Sequence, residues 1–161
     1  MTHVLVDTSV LIKWFHSEGE SELLEARALR SAHVAGALDA HILDLAIYEL
    51  GNVLLRALRW DATAAADQLD DLLAVVGSPL VMTAAWFRRA AALAHDHALS
   101  FYDASWAATA SELGMPLVSA DQRLLDVGLA ESPSQIVRRF RLVPDGATDA
   151  NDLHDGADEA Q

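Results

Sequence analysis

Cysteine is absent from the 161-residue sequence. That excludes a disulfide scaffold, a thiolate zinc site and a cysteine nucleophile together, and it fits a reducing compartment. Positive charge is scarce: 11 Lys and Arg face 24 Asp and Glu, a formal net charge of -13. Retention of nucleic acid by a generally basic surface is therefore excluded. Lysine occurs once, as Lys13. No apolar run approaches the roughly 18 residues of a membrane span. The N-terminal stretch meets Asp7 before a signal-length run develops. A soluble, cytoplasmic chain is expected. The patterns G-x-G-x-x-G, G-x-x-x-x-G-K, G-x-S-x-G and H-E-x-x-H are also missing, and with them the common nucleotide, hydrolase and zinc-protease motifs.

What is there is a globular composition, 52% hydrophobic and 22% charged, in a length that suits one domain. The charge is uneven. Asp145, Asp149, Asp152, Asp155, Asp158 and Glu159 lie after Pro144 with no Lys or Arg beside them, which leaves a net of -7 on the body. That last stretch has too few large apolar residues to offset its ordering entropy. One domain over 1–143 and an acidic, disordered tail over 144–161 are expected.

Short apolar runs alternate with helical spacing along the body. Strands are expected at Val4–Val6, His41–Leu43, Leu80–Met82 and Leu117–Ser119, and a last one at Phe140–Val143. Between them helices are expected over 10–15, 20–34, 45–60, 62–76, 84–98 and 102–113, with Asp44 capping the third and Asp121 opening a short one. This alternation implies an α/β fold whose parallel sheet is covered on both faces.

In such sheets ligands bind beyond the carboxyl ends of the strands. Asp7 follows the first strand, Asp121 stands two residues past Ser119, and Asp103 opens a helix. Each taken singly reads as a helix cap or first-turn acid. Glu49 is not a cap: it flanks the apolar stripe of Leu50, Val53, Leu54 and Ala57. Four acids at equivalent ends are harder to explain as independent caps. Converging carboxylates repel unless a cation lies between them. Hard oxygen ligands select Mg²⁺ or Mn²⁺, which can activate water for attack on a phosphodiester.

These residues resemble a known family. Val4-Leu5-Val6-Asp7-Thr8-Ser9-Val10-Leu11, the Glu49 helix, Tyr102-Asp103-Ala104 and Pro116-Leu117-Val118-Ser119-Ala120-Asp121-Gln122-Arg123-Leu124 together look like a PIN domain. Their order and spacing are those of the VapC-type toxins of bacterial toxin–antitoxin pairs. The resemblance implies a three-layer α/β/α sandwich with a short, mostly parallel central sheet. It also implies a Mg²⁺-dependent endoribonuclease, usually a homodimer, acting on transfer or ribosomal RNA and inhibited by a small antitoxin. Carried over by position, Asp7 and Asp103 would be the principal metal ligands. Glu49 and Asp121 would hold metal-bound waters or a second ion and help orient the attacking water. Thr8, Ser9 and Ser119 look like hydroxyls that orient the carboxylates; the family often has Thr in place of Ser119.

An acidic protein needs local bases to guide a strand of RNA. Asn52, Arg56 and Arg59 follow Glu49 at +3, +7 and +10, on one side of a continuous helix. Lys13 and Arg123 lie near Asp7 and Asp121 in the chain. Arg138, Arg139 and Arg141 read as decoration of an edge strand. Trp14, Trp60, Trp86 and Trp106 read as core or interface residues. His95 and His97, two apart on a helix, point to different faces and do not suggest a shared metal. A two-component receiver would need a lysine near its last strand, and a haloacid-dehalogenase-like phosphatase would need Asp where Ser9 stands. The rival left standing is a PIN fold that binds RNA or antitoxin with weak or no catalysis, which the complete set of acids disfavours.

Overall fold

The computed structural model describes residues 1–144. All of the expected acidic tail except Pro144 lies outside the described residues. Three short strands form the sheet: β1 (His3–Val6), β2 (Asp39–His41) and β3 (Leu117–Val118). Their order is β2-β1-β3 and both pairings are parallel. His3 faces Asp39, Leu5 faces both His41 and Leu117, and Val6 faces Val118. Val4, Leu5 and Val6 are fully buried, as the central strand of a doubly covered parallel sheet must be.

Among the described residues eight α-helices surround it: α1 (Thr8–Leu11), α2 (Leu23–Val34), α3 (Leu45–Asn52), α4 (Ala62–Val76), α5 (Ala84–His97), α6 (Phe101–Leu113), α7 (Gln122–Asp126) and α8 (Pro133–Phe140). Helix α6 packs on β1 and β3 and lies against α5, while α2 packs on β2 and α8. Every residue of α6 from Ala104 to Ala110 is buried. Only Trp106 among them is large, so the helix can lie close to its neighbours on all sides. None of the helices among the described residues is long and apolar enough to cross a membrane.

Several expected elements change. Leu80–Met82 is not a strand: Leu80 makes one parallel bridge to Leu43 and Val81 is exposed. Pro79 before it has no amide to extend a ladder. On the other side, Glu131 bridges Val118 and covers the outer edge of β3. Phe140–Val143 is not a strand either. Phe140 ends α8, and Arg141 takes the left-handed conformation of a C-cap, φ 54°. The start of α8 was readable: Ser132 and Gln135 form a reciprocal capping box with Pro133 at the first turn. Asp44 precedes α3 but its side chain makes no capping bond. The single helix expected over 45–60 tightens no further than Asn52; Val53–Ala57 widens into a π turn.

Candidate active site

Parallel pairing brings the carboxyl ends of all three strands to one edge. Asp7 leaves β1 there in extended backbone and caps α1, its Oδ1 accepting the Ser9 amide at 2.9 Å and the Ser9 hydroxyl. The other oxygen accepts the Ser119 hydroxyl at 2.5 Å. These two hydroxyls are themselves fixed: Ser9 Oγ accepts the Ala120 amide at 2.9 Å and Ser119 Oγ the Asp121 amide at 3.0 Å. The loop after β3 is thereby tied to the Asp7 carboxylate through two serines. Asp7 is only 5% exposed. Burial, only partly offset by these bonds and reinforced by the nearby Glu49 charge, pushes its pKa up to about 6.

Glu49 reaches the same edge from α3. Its Oε1 accepts the Thr8 hydroxyl at 3.3 Å and the Trp106 indole N–H at 3.0 Å. Burial raises its pKa; the two donors act against this and the Asp103 charge adds to it. Asp103 stands in the first turn of α6, one helical turn before Trp106, with Ser100 as the N-cap. Its Oδ2 is buried and makes no hydrogen bond. The nearest cation is the Arg123 guanidinium, 3.3 Å away, which also pairs with Asp121 Oδ2 at 3.1 Å. That pairing holds Asp121 below the usual carboxylate range. Asp121 also caps α7 through the Arg123 amide.

Asp7 and Asp121 are thus helix caps that also stand at the carboxyl edge of the sheet. The structure brings Asp7, Glu49, Asp103 and Asp121 into one electrostatic network, with Arg123 bridging the last two. Three features fit a divalent cation held by oxygen: a buried Asp103 oxygen with no hydrogen bond and only the Arg123 ion pair, the burial that disfavours the charge on Asp7, and a donor set of carboxylates alone. Asp7, Glu49, Asp103 and Asp121 are the residues that would hold it.

The expected strand-guiding bases divide. Asn52, Arg56 and Arg59 are exposed, but the π turn shifts Arg56 out of the assumed register and Arg59, at φ 60°, lies past the helix end. Lys13 does not belong with them. It is 3% exposed, and its ammonium is spent inside the protein on Glu20 at 2.7 Å and the Ser21 carbonyl at 2.8 Å. Arg123 faces the acids themselves. Two exposed aromatic residues had no role assigned from the sequence, although Tyr102 stands in the Tyr102-Asp103-Ala104 motif. Tyr48 and Tyr102, 72% and 63% exposed, each directly precede an acid of the network. The signal was an aromatic ring beside Glu49 and Asp103 at positions that helix geometry leaves outside the core.

Short parallel strands whose carboxyl ends gather four acids define a class of α/β proteins with an acidic site at the sheet edge. Within that class, the chain belongs to the PIN domain family, whose model matches residues 4–129. Among solved structures it is similar to PAE2754 from Pyrobaculum aerophilum, at 28% identity and a TM-score of 0.62 over 87% of this chain and 97% of that one. It is also similar to a toxin–antitoxin complex from Klebsiella pneumoniae (18%, TM-score 0.59, 81% and 97%). A third is FitAcB from Neisseria gonorrhoeae (18%, TM-score 0.58, 81% and 98%). A search of curated proteins finds no match.

Proposed function

We propose that this chain is a Mg²⁺-dependent endoribonuclease, with Mn²⁺ able to substitute, and the toxin of a toxin–antitoxin pair. In this reading it works in the cytoplasm as a homodimer and is restrained by a small cognate antitoxin. Membership of the PIN family and the toxin–antitoxin neighbours support a VapC-like nuclease role. The observation that carries it is the buried Asp103 oxygen, which makes no hydrogen bond and meets only the Arg123 guanidinium shared with Asp121, close to the Glu49 charge. When bound, Mg²⁺ supplies charge to neutralise phosphate oxygens and acidifies a water for in-line attack.

The residues of the chain do the rest. Ser9 and Ser119 hold the Asp7 carboxylate in one orientation. Thr8 and Trp106 both donate to Glu49 Oε1, so Oε2 is the oxygen assigned to take the proton from the attacking water. Arg123, released from Asp103 and Asp121, supplies a charge for the scissile phosphate. Tyr48 and Tyr102 offer faces for bases on either side, and Arg56 and Arg59 for more distant phosphates. Transfer or ribosomal RNA is the expected substrate.

The direct test is cleavage of transfer and ribosomal RNA by the full chain in Mg²⁺, in EDTA, and as Asp103→Asn. Cleavage is expected only for the unaltered chain with Mg²⁺. No cleavage there, or equal cleavage in EDTA and in the variant, leaves the binding-module reading instead. Trp106→Phe gives a finer test, since it keeps a ring in the core but deletes the donor to Glu49. The cleavage rate is expected to fall by about 10–100-fold, with helical circular dichroism retained. An unchanged rate would remove that hydrogen bond from the mechanism.

A further inference from the structure

The amino end of the sheet, opposite the acidic site, carries a second cluster. Asp39 begins β2, His3 begins β1 directly across from it, and His41 lies two residues along β2 on the same face. The edge with Asp7 is four residues away along β1, about 13 Å at the usual strand rise. His3 Nδ1 is 2.9 Å from His41 Nε2, and each of these nitrogens is 3.4 Å from Asp39 Oδ2. Three donor atoms of different side chains thus form a small triangle. A tetrahedral ion with bonds of about 2.0–2.2 Å holds its ligand atoms about 3.4 Å apart. Two sides of the triangle match that spacing and the third is slightly short.

The surroundings suit such an ion. His33 approaches Asp39 Oδ1 at 3.7 Å but is committed elsewhere. Its Nδ1 accepts the Ala40 amide at 3.1 Å, and its Nε2 donates to the Val75 carbonyl at 2.8 Å. It therefore braces β2 and leaves Asp39 Oδ2 to the other two. His3 and Asp39 are open to solvent, so a fourth position is accessible to water.

We propose that His3 Nδ1, Asp39 Oδ2 and His41 Nε2 form a binding site for Zn²⁺, which ties the first strand to the edge strand. Two imidazoles and one carboxylate select zinc over magnesium. The site is separate in place and in chemistry from the acidic edge and does not rest on the nuclease reading.

The test is calorimetric titration of the untagged full chain with ZnCl₂ in excess Mg²⁺, with His41→Gln, Asp39→Asn and, as an off-site control, His97→Ala. One zinc equivalent is expected in the unaltered chain and in His97→Ala. Its affinity should fall by more than about 10-fold in the other two. Zinc should also raise the melting temperature of the unaltered chain and not that of His41→Gln. Equal zinc binding by all four proteins would place the ion elsewhere and overturn the proposal. A check free of any folding defect is the imidazole ¹⁵N spectrum of the unaltered chain. The signals of His3 and His41 should move on adding one equivalent of zinc; if they stay while others move, the site is wrong.

Discussion

Asp7→Asn is expected to slow RNA cleavage by about 10²–10³-fold while making the metal-free fold more stable at pH 7. The two effects have one cause. The carboxylate is almost wholly buried, and its pKa is pushed from 3.8 up to about 6. At pH 7 the folded chain therefore carries a charge it would rather neutralise, at a cost on the order of 2–3 kcal/mol at 1.36 kcal/mol per pKa unit. Asparagine is neutral and of the same shape. Its Oδ1 can still accept the Ser9 amide, and its Nδ2 can donate to the Ser119 hydroxyl. The charge that costs stability is the charge a cation and a phosphate need in front of them. Loss of one such electrostatic group typically slows an enzyme by about 10²–10³-fold. Initial cleavage rates in Mg²⁺ and urea unfolding in EDTA measure the two halves. A lower urea midpoint for the variant would show that burial is not what strains Asp7, and undiminished cleavage would remove it from the site.

The second large effect is a pH dependence of stability that runs against habit for an acidic protein. Asp7 has a folded pKa above its unfolded one. Its contribution is fully present below about 3.8, where both states hold the proton, and is lost as pH rises through about 6. Glu49, also raised by burial, adds in the same direction. Asp121 is shifted the other way by Arg123, so its contribution is present above its ordinary pKa and lost at lower pH. His41, lowered mainly by burial, gives a contribution that grows with pH. The difference between the unaltered chain and Asp7→Asn cancels Asp121 and His41 and isolates Asp7 with its coupling to Glu49. In EDTA the unaltered chain is expected to lose about 2–3 kcal/mol relative to Asp7→Asn between pH 4 and pH 7. With saturating Mg²⁺ much of that difference should vanish, because a cation favours the ionised carboxylate. Urea unfolding at pH 4.5, 5.5 and 7 reads it directly. A difference that is flat with pH in EDTA would contradict the cause assigned here.

The first strand, the strand at Leu117 and the acids that follow them were legible because they rest on short-range rules, whereas the expected strands at Leu80–Met82 and Phe140–Val143 did not form. Val4-Leu5-Val6 is too apolar for a surface, and Asp7-Thr8-Ser9 after it starts a helix. Parallel pairing then fixes which end of the sheet gathers the following residues. What was not legible depends on contacts distant in sequence or on small departures from regular geometry. Lys13 reads as a surface base until the turn through 17–20 brings Glu20 back onto it. The π turn at Val53–Ala57 contains no Gly or Pro to announce it, and it alters the register that had aligned Arg56 with Glu49. His3 and His41 are 38 residues apart and meet only through strand register. Helix α8 is a different case: the Ser132–Gln135 capping box with Pro133 marks its start, while the arginine-rich end resembles an edge strand.

Trp106 connects the core of the molecule with the acidic edge of its sheet. Its ring is among the largest fully buried side chains, and its N–H ends on Glu49. Indole emission responds to the field along that bond. A change of charge at the carboxylates should therefore be written into the colour and intensity of the protein's ultraviolet fluorescence. The chain carries its own optical gauge of what occupies the edge of its sheet, with no dye attached and no RNA consumed.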